Sequence, residues 1–113
     1  PTWARTLAEA SAQVVAQGRN DPVGYIKEKR GLYHLTDSGS CSRYDWAKAI
    51  IELDPDKEEQ VVSKLLPARS VDFKSPSDRP ELSTILCEKV NSSFNLTLPL
   101  WKKSLFLCLN SKA

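Results

Sequence analysis

A chain of 113 residues, 41% hydrophobic and 27% charged, has the composition of one globular domain with a modest core. Its net charge of +2 is small and its 16 Lys and Arg residues are scattered, so we expect no nucleic-acid partner and no membrane surface. No apolar run approaches the roughly 18 residues of a membrane span, and no secretory-signal pattern is present.

The first predicted element is a helix over residues 3–17. Apolar side chains recur along one of its faces at helical spacing, and polar side chains lie off that face. Thr2 suits the N-cap position and Gly18 suits the stop. Residues 19–24 then have the Asn, Asp, Pro and Gly content of a turn-rich surface connection.

A short strand is predicted at residues 31–36, a β-prone run preceded by turn residues and followed by Asp, Ser and Gly. A second helix should follow at once, because Ser42 and Asp45 form a capping-box pattern three residues apart. Its buried stripe recurs at helical spacing up to the stop at Asp54 and Pro55.

The second half of the chain mixes short apolar runs with irregular stretches. Residues 61–66 are predicted to form a strand, and residues 83–86 a brief extended piece. Between them, residues 70–80 are rich in Ser, Pro and Asp, which excludes long regular structure. We expect a short helix near residues 88–94 and a final helix with Pro99 in its first turn.

These elements predict an α+β domain with three or four helices around a few short strands. We expect residues 1–113 to form a single domain. The chain contains no methionine, so we expect it to be a fragment of a longer protein, with a processed chain as the alternative.

Residues that usually carry catalysis are sparse. The four glycines never approach a G-x-G-x-x-G phosphate loop, and spacing indicates no Ser–His–Asp set and no metal cluster. The only histidine, His34, is interpreted as a structural or surface residue rather than a proton-transfer group. The three cysteines are widely spaced, which favours reduced thiols and a cytoplasmic location over a disulfide. We therefore expect no catalytic, cofactor-binding or metal-binding residue in this chain.

The remaining candidate is the irregular stretch 73–80, which contains Arg79 between proline residues. A rigid loop that carries a guanidinium suits the binding of an anion such as a pyrophosphate. The other interpretation is a surface loop in which Arg79 pairs with Asp78 or with another carboxylate. The residues alone favour the surface-loop interpretation and leave anion binding as the alternative.

Four pieces of sequence carry a resemblance. In chain order they are Pro1-Thr2 before an alanine-rich helix, G-L-Y-H-L-T at 31–36 with S-G-S-C-S-R-Y-D-W-A at 38–47, S-P-S-D-R-P at 75–80 with Ser83, and L-P-L-W at 98–101. Together they resemble the C-terminal half of the dTDP-4-dehydrorhamnose reductases, which are extended short-chain dehydrogenases. The resemblance covers almost the whole chain.

The sequence departs from the family pattern in three places. Arg43 stands where the family has the tryptophan of an S-W-Y piece, and Asp78 replaces the first arginine of an R-R-P piece. Residues 73–75 replace an aromatic-Pro-Thr lead-in. These departures suit a divergent relative, or one whose sugar is not rhamnose.

The resemblance implies an intact protein that reduces a 4-keto nucleotide sugar with NADPH, as in the conversion of dTDP-4-dehydrorhamnose to dTDP-rhamnose. In that family the cofactor fingerprint and a proton-donating Tyr-x-x-x-Lys pair belong to the N-terminal half. Tyr25 and Lys29 have that spacing but lie outside the family position. The resemblance therefore implies a substrate-binding lobe that binds no cofactor and is not catalytic alone. Residues 1–18 would form the helix that packs on the missing nucleotide-binding core.

The implied substrate contacts are Arg79 first, with Ser75 and Phe73 as weaker candidates. The implied partners are the nucleotide-sugar substrate, the missing N-terminal Rossmann domain and a possible second copy, because detachment would uncover the apolar face of the first helix. Two alternatives remain: a non-catalytic regulatory or interaction subunit of the same fold, and an unrelated small binding domain.

Overall fold

The computed structural model describes residues 1–111, and within that part five α-helices form. They are α1 (Ala4–Gln17), α2 (Pro22–Lys29), α3 (Arg43–Leu53), α4 (Glu88–Phe94) and α5 (Trp101–Asn110). Single 3-10 turns lie at Lys57–Glu59 and Ser70–Asp72. No helix among residues 1–111 is long and apolar enough to cross a membrane.

Local chemistry fixes where the helices begin. The predicted capping box of α3 is confirmed: the Asp45 N–H donates to Ser42 Oγ at 3.0 Å and the Ser42 N–H donates to Asp45 Oδ2 at 3.2 Å. α2 was not predicted, because Pro22 and Gly24 suggested a turn. Asp21 caps this helix by accepting the Gly24 N–H at 3.1 Å, and Pro22 suits the first turn because its missing N–H is not needed there.

The main core forms where α1 meets α4 and the segment after it. Its buried side chains are Ala10, Val90, Phe94, Leu96 and Leu98. Leu7 and Val14 of α1 pack against this cluster and are partly buried. The α1 face that we expected to be uncovered is therefore largely covered within this chain.

Two tyrosines complete the core around Phe94. The ring centroids of Tyr25 and Tyr33 lie 6.2 Å and 4.9 Å from that of Phe94, in tilted arrangements that aromatic pairs favour. A second packed region joins α3 to α5, with Ala49 and Ser104 buried there. Lys102 of α5 lies 3.7 Å from Glu52 of α3, an exposed ion pair that contributes little stability.

The prediction of an α+β fold is wrong. No strand ladder forms within residues 1–111, and the only sheet-like pairing there is an isolated parallel bridge between Ser38 and Leu100. Residues 31–36, 61–66 and 83–86 are extended or irregular, because a strand exists only where a second strand pairs with it. Apolar runs in the sequence do not show whether that partner is present.

The described chain is elongated. Its radius of gyration is 18.1 Å, whereas a compact domain of this length has about 13 Å. Residues 61–86 add little to the core, since only Leu65 among them is partly buried and every other side chain is exposed. Val61, for example, is 94% exposed.

Phe94 and Phe73 provide a direct test of where the core lies. Phe94→Ala should lower the free energy of unfolding by about 3 kcal/mol, because it leaves a cavity among packed side chains. Phe73→Ala should change it by less than about 0.5 kcal/mol, because Phe73 is 68% exposed. Urea unfolding followed by circular dichroism measures both, and Phe94→Leu serves if the alanine variant does not fold. Equal losses for the two alanine variants would contradict this core.

Candidate functional site

The three predicted site residues lie together on the exposed loop at residues 73–80. Phe73, Ser75 and Arg79 are all exposed. The 3-10 turn before the loop is closed by Arg69, whose N–H donates to Asp72 Oδ2 at 3.1 Å and whose Nη2 donates to Asp72 Oδ1 at 3.3 Å. The loop therefore starts from a fixed turn but lies outside the core.

Arg79 does not form the ion pair that the surface-loop interpretation required. No carboxylate of residues 1–111 lies within ion-pair distance of its guanidinium, and this includes neighbouring Asp78. Arg69, on the same exposed segment, is paired with Asp72. The Arg79 guanidinium thus has no carboxylate partner among residues 1–111, and its donors suit an external anion.

A cleft of about 420 Å³ lies beyond this loop and was missed by the sequence reasoning. Residues 35–40, 84–87 and 96–98 line it, together with Asn91. Asn91 Nδ2 donates to Thr97 Oγ1 at 2.6 Å, and Ser38 Oγ donates to the Leu98 carbonyl at 2.6 Å. The only signal in the sequence was the density of Ser and Thr in two segments that are distant along the chain.

Asp37 is the unusual residue at this cleft. It is only 5% exposed, and neither carboxylate oxygen has a hydrogen-bond partner among residues 1–111. Its backbone N–H donates to Thr2 Oγ1 at 3.2 Å, and this hydrogen bond fixes the main chain at Asp37. Burial of an unpaired carboxylate costs free energy, and this residue is therefore a source of instability.

Two carboxyl groups have a lowered pKa, and both lie outside the loop and the cleft. The Ser42 hydroxyl, and then the Ser42 backbone N–H, lower the pKa of Asp45 by hydrogen bonding to its charged form. The backbone N–H of Asp56 and the side-chain amide of Gln60 lower the pKa of Asp54 in the same way. Both shifts therefore come from capping and turn formation rather than from catalytic chemistry.

Residues 1–111 contain no group of three or more His, Cys, Asp or Glu side chains arranged to hold a metal ion. Cys41, Cys87 and Cys108 are free thiols, as predicted. His34 is exposed, and Tyr25 donates its hydroxyl to Gln17 Oε1 at 2.8 Å, which ties α2 to α1.

Comparison with known proteins gives a consistent family. Residues 1–113 match the family model described as RmlD substrate binding domain. The chain is similar to proteins named dTDP-4-dehydrorhamnose reductase, with 30% identity over 113 residues for Burkholderia thailandensis and 31% over 112 residues for Escherichia coli K12. These alignments cover 96% and 97% of this chain but 37% and 36% of the relatives. The chain thus spans little more than a third of the length of these relatives.

Removal of the Asp37 carboxylate should stabilise the protein. Asp37→Ala is expected to raise the free energy of unfolding by about 1 kcal/mol, because a buried acceptor without a donor is deleted. Asp56→Ala is the control, since Asp56 is exposed, and should change it by less than about 0.5 kcal/mol. Urea unfolding at pH 7 measures both. A loss of stability in Asp37→Ala would show that the carboxylate has a partner outside residues 1–111.

Proposed function

This chain belongs to the RmlD substrate binding domain family, and from that premise we propose that it binds the nucleotide sugar for a dTDP-4-dehydrorhamnose reductase-like protein. The reaction of the intact protein would be the reduction of a 4-keto sugar. The observation that carries the proposal is the exposed Arg79 guanidinium, which has no carboxylate partner within residues 1–111.

A nucleotide sugar presents a pyrophosphate, and Arg79 suits that group. A planar guanidinium donates two parallel hydrogen bonds to phosphate oxygens, and such charge-assisted bonds are the strong ones. Ser75 adds a hydroxyl donor on the same loop. The exposed ring of Phe73 offers an apolar face on which a base can stack.

Asp78 works against this contact. Its carboxylate neighbours Arg79 in the chain and is exposed, so it repels a pyrophosphate bound there. The family pattern has an arginine at this position. We therefore propose that this protein binds its nucleotide sugar with one loop arginine instead of two.

The residues present do not fit a dinucleotide cofactor. The glycines form no phosphate loop, and at the N-terminus of α3 the N–H groups of Asp45 and Ser42 already donate to the Ser42 and Asp45 side chains. We propose that NADPH, and the Tyr-x-x-x-Lys pair that donates the proton, belong to a nucleotide-binding domain outside this chain. Residues 1–113 would then form a substrate-binding domain that is not catalytic alone.

In the proposed domain arrangement, only the outer side of α1 is available for contact with the nucleotide-binding domain. Leu7, Ala10 and Val14 already pack inside this chain, so contact with a nucleotide-binding core would use the outer side of α1, where Val15 is exposed. We propose a cytoplasmic location, in keeping with the three free thiols.

Titration with dTDP and dTDP-glucose tests the proposed contact. We expect both ligands to bind this chain weakly, with a dissociation constant of about 1 mM. Arg79→Ala should weaken it at least about tenfold, since a charged hydrogen bond is lost. Asp78→Asn should strengthen it by about two- to threefold, because a repulsive charge is removed.

Arg69→Ala is the matched control, because Arg69 is an exposed arginine on the same segment that is already paired with Asp72. Calorimetry and NMR chemical-shift titration measure all four proteins. Equal weakening by Arg69→Ala and Arg79→Ala would indicate non-specific attraction to positive charge and would contradict the proposal. The same variants in a longer protein that contains this domain should show the same order.

A further inference from the structure

The cleft of about 420 Å³ at Asp37, here called the polar cleft, has the size of a small-molecule site. Such sites have volumes of about 300–1,000 Å³ and combine apolar walls with a few polar groups. The lining of the polar cleft has both. Its apolar side chains are Leu35, Ile85, Leu86, Leu96 and Leu98, and its hydroxyl groups include those of Thr36, Ser40 and Thr84.

Hydrogen bonds between distant segments hold the walls of the polar cleft together. The Thr36 N–H donates to Cys87 Sγ at 3.3 Å, which joins the segment before α3 to the segment before α4. The Ser38 hydroxyl donates to the Leu98 carbonyl at 2.6 Å, which joins the same segment to the one before α5. The three walls are therefore connected within this chain, as in a preformed binding site.

Asp37 is the only charged residue in the lining of the polar cleft. It is 5% exposed, and neither of its carboxylate oxygens has a hydrogen-bond partner among residues 1–111. The lining contains no Lys, Arg or His side chain that could neutralise it. Because charges interact strongly where water is excluded, this carboxylate attracts cations to the polar cleft and repels anions.

The two unpaired oxygens of Asp37 match one kind of cation in particular. A planar guanidinium donates two parallel hydrogen bonds to the two oxygens of a carboxylate. Both oxygens are shielded from solvent, so this contact requires the Asp37 side chain to rotate towards the cleft. The main chain can stay in place, since the Asp37 N–H donates to Thr2 Oγ1. Rotation of a side chain between staggered conformations is common when a ligand binds.

We propose that the polar cleft binds a small organic cation, a guanidinium compound with a short apolar body, through the carboxylate of Asp37. The guanidinium forms a bidentate ion pair with Asp37, and the apolar body packs against the leucine and isoleucine side chains of the lining. The ligand gives a buried acceptor the donors that it lacks within residues 1–111. Unsatisfied buried groups in native proteins are concentrated where function requires them, which is the reason for keeping a destabilising carboxylate here.

A titration with n-butylguanidinium tests the proposal, with n-butylurea as a neutral analogue of nearly the same shape. We expect n-butylguanidinium to bind with a dissociation constant of about 1 mM. n-Butylurea should bind at least about tenfold more weakly, because the charge-assisted hydrogen bonds are lost. Two-dimensional NMR measures both affinities, and the chemical-shift changes should be centred on residues 35–40 and 96–98, which line the cleft.

Asp37→Asn removes the charge and keeps the shape of the side chain. This variant should bind n-butylguanidinium at least about tenfold more weakly than the unchanged protein. Asp56→Asn is the matched control, because Asp56 is an exposed carboxylate outside the lining of the cleft. It should leave the dissociation constant within about twofold. Circular dichroism confirms that each variant is folded.

Equal affinity of the unchanged protein and Asp37→Asn would overturn the proposal, and so would equal affinity for the two probes. Shift changes confined to the exposed acidic residues 56–59 would also overturn it, because they would show attraction to surface charge. The same order of affinities is expected in a longer protein that contains this domain. Loss of binding there would assign Asp37 to a contact within that protein and would contradict the proposal.

The proposal does not rest on nucleotide-sugar binding. The dTDP titration reports on Arg79 and the loop 73–80, which contribute no residue to the lining of the polar cleft. Failure of one proposal therefore leaves the other unaffected.

Discussion

The packing of Phe94 is the interaction on which the larger part of the structure depends. Its ring lies between those of Tyr25 and Tyr33, and its backbone carbonyl accepts a hydrogen bond from Gln17 Nε2 at 2.8 Å. α1, α2 and the extended segment 31–36 therefore each contact Phe94 of α4. Because few large side chains are buried in this chain, the loss of this ring cannot be compensated by neighbouring packing. The position of α2 follows from this contact.

A second, smaller link joins that core to the α3–α5 region. Ser38 donates its N–H to the Pro99 carbonyl at 2.9 Å, accepts the Trp101 N–H at 3.0 Å and donates its hydroxyl to the Leu98 carbonyl. The next residue, Gly39, has φ of +80°, and a Cβ there would lie 3.3 Å from Trp101 Cδ1. Ser38 thus links the two regions through a single bridge, where a strand was expected. Ser38 also lines the polar cleft.

The feature that was predicted correctly depends on residues close together in the sequence, and most features that were not depend on distant residues. The α3 capping box depends on Ser42 and Asp45, three residues apart, and it was predicted correctly. α2 was not predicted, because residues 19–24 have the composition of a turn, although Asp21 and Pro22 are also a local start signal for a helix. The strand at residues 31–36 was wrong because strand formation depends on a distant partner. The same holds for the burial of Asp37, which no neighbouring residue indicates.

The exposed position of the loop 73–80 has two opposite effects on binding by Arg79. Since the side chains of the loop 73–80 are exposed, no carboxylate of residues 1–111 neutralises Arg79, and no buried contact in that part of the chain fixes it. Ordering a loop costs about 1–2 kcal/mol per residue, partly offset here by Pro76 and Pro80, whereas one charged hydrogen bond returns only about 1.5–3 kcal/mol. Arg79 alone therefore cannot hold a nucleotide sugar tightly. On the proposed function, tight binding would require a second surface that covers residues 61–86 and orders the loop before the ligand arrives. The affinity for the nucleotide sugar would then depend on what packs on that segment.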